Sequence, residues 1–576
     1  MDEELRSWIE RRFAVRAPAR SKLTSLREAV AEGVAPGDTV HLGMTHTRGS
    51  AAFWELIRAF AETKPNLTLL GVAMSSPLSP LVHAGLASKL VTSWAGDSYW
   101  TPGPNGVYQR AWQAGIPIEQ WSILTFTQRL AAGARGLATT TTRSLRGSSM
   151  MSNDGVRMLD EETVLIPSLV PDVSIFHAAA ADEYGNVLFA PPLMENVYGA
   201  LAARKGCIVT VDRIVDPAFI RAHAHMTLLP QSAVRAVVEV PFGAHPGGLV
   251  PSGIEGVQGY GEDYDFWIDI RRAARDPAAM DAWIKEWIFE ADTPEKYRDR
   301  LGVDRVEALK RRIDPRAYEE ELADAVSHID FVAAPSAVET AVVLAGRELA
   351  TRIRDNGYTS MLAGAGMANL AAWLAAYALA DQGVSVDLMA EMGLIGYWPR
   401  PGEPILFNQR NFPTCTMLAD IDRTLSILVG GGAARSIGAL GAAQVDRHGN
   451  INSTEIPGSQ MLMGSGGAND VITCAGETLL IVAQSAERLV EEVSYITGPG
   501  DRVETLVTTM GLYRKDRGEF VLAGVFGDDR DEAAKECIAR CGWDLRVARD
   551  LQILAAPAPD EIMMLRVMDP SGWFRA

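Results

Sequence analysis

The sequence predicts an α/β protein made of two related halves, each with a mostly parallel sheet, joined by a helical segment. Three observations predict it. Short apolar or β-branched runs alternate with Ala-rich amphipathic stretches through most of the 576 residues, as in strand–helix–strand units. Residues 260–330 interrupt that alternation with charged, helically spaced sequence. An A…DxxGN element occurs twice, as AAAADEYGN at 178–186 and AAQVDRHGN at 442–450.

Gly37-Asp38-Thr39 leads into VHLGM, a strand ending at Gly43. In the following AAFWELIRAFAE, Phe53, Leu56, Ile57 and Phe60 share one helical face. NLTLLGVAM is the next strand, and Ile208 to Val211 another. WIDIRRAARDP, DAWIKEWIFEAD and RVEALKRRIDPRAYEEELADA carry helical spacing and no strand. They predict a helical appendage over about 260–320 and a linker near 310–335. Alternation restarts at TSMLAGAGMANLAAWLAAYALADQG. Residues 361–380 contain no charge and reach membrane-span length. Ala and Gly dominate them, however, and Asn369 lies within, so a strand end, a glycine loop and a buried helix is the better reading. LGMTHTRGSAAFWELI at 42–57 and LAGAGMANLAAWLAAY at 362–377 correspond, as do Asp182, Gly185 and Asn186 with Asp446, Gly449 and Asn450. One D-x-x-G-N is an ordinary turn. Two, in corresponding places, predict homologous domains.

A hydrophobic content of 47% with 22% charged residues is that of a globular enzyme, and the net charge of −18 argues against a nucleic-acid partner. Cys207, Cys415, Cys474, Cys537 and Cys541 are too few and scattered for a disulfide framework. Cys537 and Cys541 are spaced to stack on one helix face as buried thiols. MDEELRSWIERRF lacks the apolar core of a signal peptide, so a reducing, cytoplasmic setting and no membrane association are expected. His223-x-His225 has no third ligand nearby, so no metal site is expected.

Three segments could carry chemistry. In VDLMAEMGLIGYWPRPGEP, a strand ends in Glu391, with Gly393 and Gly396 close behind. Open α/β sheets bind ligands at such strand ends. MGSGGANDVI at 463–472 can present backbone N–H groups to an anion, although its spacing matches neither a Walker loop nor the dinucleotide fingerprint. Gly364-Ala365-Gly366 precedes a helix whose N-terminus favours negative charge. Ser98-Tyr99-Trp100 and Arg143-Ser144 could line a pocket, with Arg143 as a carboxylate fork. No GxSxG elbow, kinase, zinc-protease or P-loop signature appears.

On these residues the chain resembles the class I coenzyme A transferases, most closely the glutaconate CoA-transferase-like group. GDSYWTPGPNGVYQRA (96–111), LAAGARGLATTTTRSLRG (130–147) and PDVSIFHAAAADEYGNV (171–187) look like the family's α-type chain. AEMGLIG (390–396), GGGAARSIGALGAAQVDRHGNIN (430–452), MGSGGANDV (463–471) and PAPDEIMMLRVMDP (557–570) look like its β-type chain. The resemblance implies two fused domains, α-type over 1–320 and β-type over 330–576, and a homodimer or higher homo-oligomer. It implies that Glu391, at the position of the family's nucleophilic glutamate, accepts the acyl group and then coenzyme A in a ping-pong cycle through a glutamyl-CoA thioester. Acyl-CoA and a carboxylic acid are the substrates, and no bound cofactor is implied. A free glutamate is ionised at neutral pH and needs no activating base. Backbone N–H groups at Gly364, Gly366 and Met367 are the expected oxyanion donors. Gly464, Gly466, Gly467, Ala468 and Asn469 are the expected CoA contacts, and Ser98, Tyr99 and Arg143 the expected acyl pocket. Trp94, Trp100, Trp121 and Trp398 point to a large apolar pocket. The chain departs from the family pattern at Ala390 and Met392, which replace Ser and Asn. It also departs in LGMTHTRGS, poor in glycine and carrying His46 and Arg48. Those departures leave open a CoA-thioester or ring-opening hydrolase, and a non-catalytic acyl-CoA-binding protein.

Overall fold

The computed structural model describes residues 2–16, 18, 20–43, 48–251 and 253–575. Two sheets organise it. The first has nine strands. Its parallel body comprises β1 (Thr39–Leu42), β2 (Leu67–Gly71), β3 (Ala87–Thr92), β4 (Ile118–Gln120), β5 (Val173–Ala181), β6 (Cys207–Ile214) and β7 (Val234–Glu239). Their order is β4-β3-β2-β1-β5-β6-β7. The second sheet has ten strands. Its parallel body comprises β8 (Ser360–Ala363), β9 (Asp387–Ala390), β10 (Ser436–Leu440), β11 (Glu477–Val482) and β12 (Val503–Thr508), ordered β9-β8-β10-β11-β12. Antiparallel strands extend both of its edges. Every residue of β5, β8, β10 and β11 is buried, as in parallel strands covered on both faces, and apolar and small residues dominate them.

The two halves repeat one topology. β2-β1-β5-β6-β7 matches β9-β8-β10-β11-β12 in order and direction. Before each central strand lies a helix, α1 (Leu26–Gly33) before β1 and α3 (Ala337–Asn356) before β8. Both open with a capping box, Ser25 with Glu28 and Ser336 with Glu339. After each central strand comes another helix, α2 (Ser50–Ala59) and α4 (Met367–Asp381). The DxxGN elements follow β5 and β10 and share one hydrogen-bond pattern. Asp182 accepts from the N–H groups of Tyr184 (3.0 Å) and Asn186 (2.9 Å) and from the Asn186 side chain (2.7 Å). Asp446 accepts likewise from His448 (2.9 Å), Asn450 (3.0 Å) and the Asn450 side chain (2.9 Å). Gly185 and Gly449 take the positive φ, 96° and 83°, that closes each turn.

Between the sheets lie the expected helices, Tyr264–Ala273, Pro277–Ile284, Pro294–Leu301, Val303–Arg311 and Ala317–Val326. Their aromatic side chains form the packing face: Trp283 and Phe266 lie 5.7 and 6.3 Å from Trp54 of α2. The stretch expected as a linker is instead partly helical and docked. Arg312 pairs with Glu403, and Glu321 with Arg410, which ties it to the second half.

Residues 361–380 form β8, the glycine turn and α4, whose Trp373 donates to the Tyr397 hydroxyl at 3.0 Å. Among the described residues no helix is long and apolar enough to cross a membrane. The five cysteines are free. Cys541 lies past the end of helix Arg530–Ala539, so it does not stack on Cys537 along a helix face as its spacing predicts. His223 ends helix Pro217–Ala222 with its ring stacked on Phe219, and among the described residues no His, Cys, Asp or Glu cluster could hold a metal ion.

Candidate active site

A cavity of about 750 Å³ lies between the halves, a size suited to a drug-sized ligand. Residues just beyond the carboxyl ends of β8, β9, β10 and β11 line it, including Gly364 to Met367, Glu391, Gly441 and Ala483. Arg48, Trp94, Ser98, Tyr99 and Glu262 line it from the first half. Parallel sheets place ligands at this end because the strands stop there and the loops diverge.

Glu391 directly follows β9, between the buried side chains of Ala390 and Met392. Its Oε2 atom is buried without a hydrogen-bond partner. Gly467 presses on the glutamate: a Cβ there would lie 3.3 Å from Glu391 Cγ. Burial raises the Glu391 carboxyl from 4.5 to about 7, and the neighbouring Asp470 carboxylate adds to the rise. Asp470 is itself pushed up to about 6 by burial. The expectation of a fully ionised glutamate at neutral pH is thus corrected: burial favours the protonated carboxyl, so Glu391 gives up its proton less readily than a free glutamate. Sequence reasoning could not supply this, because the desolvation comes from packing two distant segments together.

The glycine turn before α4 is placed as expected, with one change of role. Gly364 donates its N–H to Ala439 in the sheet, at 2.8 Å, so it is not free for an oxyanion. Gly366 is the N-cap of α4, and no side chain caps that helix. The first-turn N–H groups, including that of Met367, therefore carry the partial positive charge of the helix end at the cavity wall.

The 463–469 loop departs further from expectation. Gly464 donates to Ser453 (3.0 Å), Gly466 to Ser93 (2.9 Å) and Ala468 to Ser465 (3.0 Å). Ala95 donates to the Met463 carbonyl (2.7 Å) and Ile123 to that of Gly466 (2.9 Å). Much of the loop's polar backbone is thus spent stapling the halves together. Asn469 is fully buried. It accepts from the Leu145 N–H (2.9 Å) and donates to the Thr497 carbonyl (2.9 Å), so it holds structure and does not line the cavity. Gly464, Gly466, Gly467 and Ala468 do line it.

Ser98 and Tyr99 line the cavity, and the Tyr99 hydroxyl donates to Glu262 at 3.0 Å. Arg143 does not. Its guanidinium is drawn off by the Gly430 carbonyl (2.7 Å) and Glu162 (3.0 Å). Of the four tryptophans expected to shape the pocket, Trp94 alone lines it, while Trp121 is buried under the Arg129 guanidinium and Trp398 is exposed. Trp573 and Phe574 line the wall instead. Nothing in their spacing marked them, since only folding brings 573–574 to residues 98–103. His46 lies outside the described residues.

Comparison with known proteins gives a consistent picture. The family model described as Coenzyme A transferase matches residues 23–240 and 426–514. Those segments include Ser98, Tyr99 and the 463–469 loop, but not Glu391. One chain of the two-chain 3-oxoadipate CoA-transferase from Pseudomonas knackmussii is 34% identical over 285 residues, covering 46% of this chain and 94% of that one. The other chain of that enzyme is 31% identical over 160 residues, covering 24% of this chain and 60% of that one. A glutaconate CoA-transferase chain from Acidaminococcus fermentans is 28% identical over 318 residues, covering 50% of this chain and 95% of that one. In fold, an acyl-CoA transferase from Escherichia coli O157:H7 matches with a TM-score of 0.63 and 15% identity, covering 94% of this chain and 97% of that one.

Proposed function

Because this chain belongs to the coenzyme A transferase family, we propose that it moves coenzyme A from an acyl-CoA to a carboxylic acid through a covalent intermediate on Glu391. In this reading, residues 1–320 form the α-type domain and residues 330–576 the β-type domain that supplies the nucleophile. The observation that carries it is Glu391 itself, an acid at a strand end, with one buried oxygen unpaired, in a cavity shared with the uncapped N-terminus of α4.

The ionised carboxylate attacks the thioester carbonyl. The C–S bond breaks, giving an acyl-glutamyl anhydride and CoA thiolate. The thiolate attacks the glutamyl carbon and expels the first carboxylic acid as its carboxylate, leaving a glutamyl-CoA thioester. An acceptor carboxylate attacks that thioester, and the released thiolate takes the new acyl group from the anhydride, restoring Glu391. Each tetrahedral intermediate carries an oxyanion, which the α4 N-terminus can stabilise; one such donor is typically worth about 10²–10³ in rate. Desolvation serves both reactivity and containment. The unpaired Oε2 breaks no hydrogen bond on attacking, and the place of Glu391 deep between the two halves limits the water that reaches the anhydride.

The test is mass spectrometry of the protein and small molecules after mixing with acyl-CoAs, with and without acetate or a dicarboxylate. Borohydride reduces any glutamyl thioester to a stable mark. A mark at Glu391 and new acyl-CoA only with acceptor are expected. Free CoA and free acid formed at full rate without acceptor would replace transfer by hydrolysis.

A second prediction concerns pH. The protonated carboxyl cannot attack, so kcat/KM of the free enzyme rises with pH through an acid limb near 7. Asp470→Asn removes the like charge and moves that limb to lower pH. A limb near 4.5 in the parent enzyme would show that Glu391 is not desolvated in solution.

A further inference from the structure

A second cavity, of about 240 Å³, lies apart from Glu391, and none of its lining residues borders the active-site cavity. It lies at the carboxyl ends of β6 and β7, where helices Pro294–Leu301 and Val303–Arg311 pass over them. Arg213 reaches it from β6, Arg298 from the first helix and Lys310 from the second. Among the described lining residues Asp212 is the one carboxylate, and it has no oxygen to spare. Its Oδ1 accepts from the Tyr260 hydroxyl (3.0 Å) and lies 2.8 Å from His177 Nε2, and its Oδ2 accepts from the Phe242 N–H (3.1 Å). The cations are less engaged. Arg298 Nε is buried with no hydrogen-bond partner. Arg213 gives Nη1 to the Gly256 carbonyl (2.6 Å), a neutral acceptor that leaves its charge uncancelled. Lys310 meets Glu307 at 2.7 Å, but both side chains reach solvent, and such pairs on one helix hold weakly and are readily exchanged.

A buried arginine N–H without an acceptor is costly, and folded proteins rarely leave one unused. In a chain of net charge −18, three cations around one cleft, with its wall carboxylate already satisfied, make a local positive field that draws anions. The carboxyl ends of parallel strands are also where α/β sheets receive ligands. Phe242, Val257 and Val306 add apolar wall beside the cations. That combination suits an organic anion better than a bare ion: oxygens on the arginine and lysine, a short carbon body on the apolar side. The volume is below that of sites for drug-sized ligands, so the body is a few carbons long. With Asp212 and Tyr260 committed to each other, the wall offers binding and not chemistry.

We infer that this cleft is a binding site, separate from the active-site cavity, for a small organic anion whose carboxylate or phosphate head is held by Arg298 and Lys310, with the exposed Arg213 at its mouth. The inference does not depend on what Glu391 does. The planar guanidinium of Arg298 matches the oxygens of either head group, whereas a neutral molecule of the same shape leaves its Nε unpaired. An anion that binds the folded chain alone also raises its melting temperature.

The experiment titrates the full chain by calorimetry with succinate, glycerol 3-phosphate, inorganic phosphate and, as the neutral control, glycerol. Each titration is run with and without saturating CoA. One equivalent of succinate or glycerol 3-phosphate is expected to bind with a Kd of about 1 mM or tighter, whether or not CoA is present, and the tighter of the two tells carboxylate from phosphate. Inorganic phosphate lacks the carbon body and should bind less tightly, and glycerol should not bind. Arg298→Met should weaken the binding by about 30-fold, the scale on which one partner of a buried charged hydrogen bond is lost. Lys310→Met should weaken it in the same direction, and Arg298→Lys, lacking the planar fork, should fall between the parent and Arg298→Met. Melting temperatures show which variants are folded. Crystals of the parent soaked with the tightest probe locate it even if the variants fold poorly, and density against Arg298 supports the inference. Binding that CoA abolishes would place the anion in the active-site cavity and overturn the inference. Affinity that survives Arg298→Met in a folded variant, density elsewhere than this cleft, or no binding of either organic anion also overturns it.

Discussion

Glu391→Gln lowers the rate of CoA transfer by at least about 10⁴-fold, the scale on which a covalent nucleophile is lost, while acyl-CoA affinity changes little. Glutamine matches the side chain in size, so the cavity wall and the contact with Gly467 are kept. What disappears is the oxygen nucleophile. Steady-state transfer measures the first quantity and calorimetry the second. Residual transfer at a tenth of the parent rate would mean that Glu391 does not form the intermediate. The same substitution has an opposite effect on stability. Burial raises the carboxyl to about 7 in the folded protein, above its unfolded value of 4.5. The protonated form is the one that folding favours, so the benefit is complete below 4.5 and is lost as pH rises through 7. Glutamine carries no charge to desolvate. The variant is therefore expected to unfold at higher temperature than the parent at pH 8, with a difference of up to about 3 kcal/mol that shrinks towards pH 4.5. Loss of activity with gain of stability marks a strained functional group, whereas loss of both marks a structural one.

How far the site was legible depended on whether its logic was local. The paired DxxGN turns could be found because a short polar side chain and a glycine at positive φ are needed within five residues. Glu391 could be placed at a strand end because the apolar run before it stops there, whereas its role as nucleophile was implied by the family resemblance and not by spacing. Arg143 was misread because its direction is decided by Gly430, far along the chain. Asn469 was misread for the same reason: its partners, Leu145 and Thr497, belong to segments that meet only in the folded protein. The glycine loop at 464–467 illustrates both cases. Its small residues did mark a close approach, but much of what approaches is the Ser93 to Ile123 backbone of the other half. The linker expected near 310–335 failed because its charged helix is held by Arg312–Glu403 and Glu321–Arg410 pairs, which no periodicity reveals.

The turn that aims Glu391 tolerates no side chain at Gly393, and Gly393→Ala is expected to cut transfer by about 10²-fold, the penalty for displacing a reacting group by roughly 1 Å. Gly393 has φ +116°, outside the range of an L-residue, and an added Cβ would overlap the Ala419 carbonyl oxygen and lie 2.7 Å from its carbon. That carbonyl cannot retreat easily. Leu193 of the first half donates to it at 3.1 Å, and the Ala419 N–H donates back to the Gly393 carbonyl at 2.8 Å. The backbone of 391–393 must therefore move, and Glu391 with it. Gly383→Ala provides the contrast. That residue also has positive φ, +73°, but a Cβ there meets nothing within 4 Å and the position lies past the far end of α4. It incurs the backbone penalty of roughly 1–2 kcal/mol without touching the site. Melting temperature and kcat per folded molecule, measured for both, separate the two effects. Gly383→Ala loses stability and keeps its rate, whereas Gly393→Ala loses both. Equal rates in the two variants would show that the turn has enough play to absorb the methyl group, and that the position of Glu391 is set by something other than the clamp between Gly393 and Ala419.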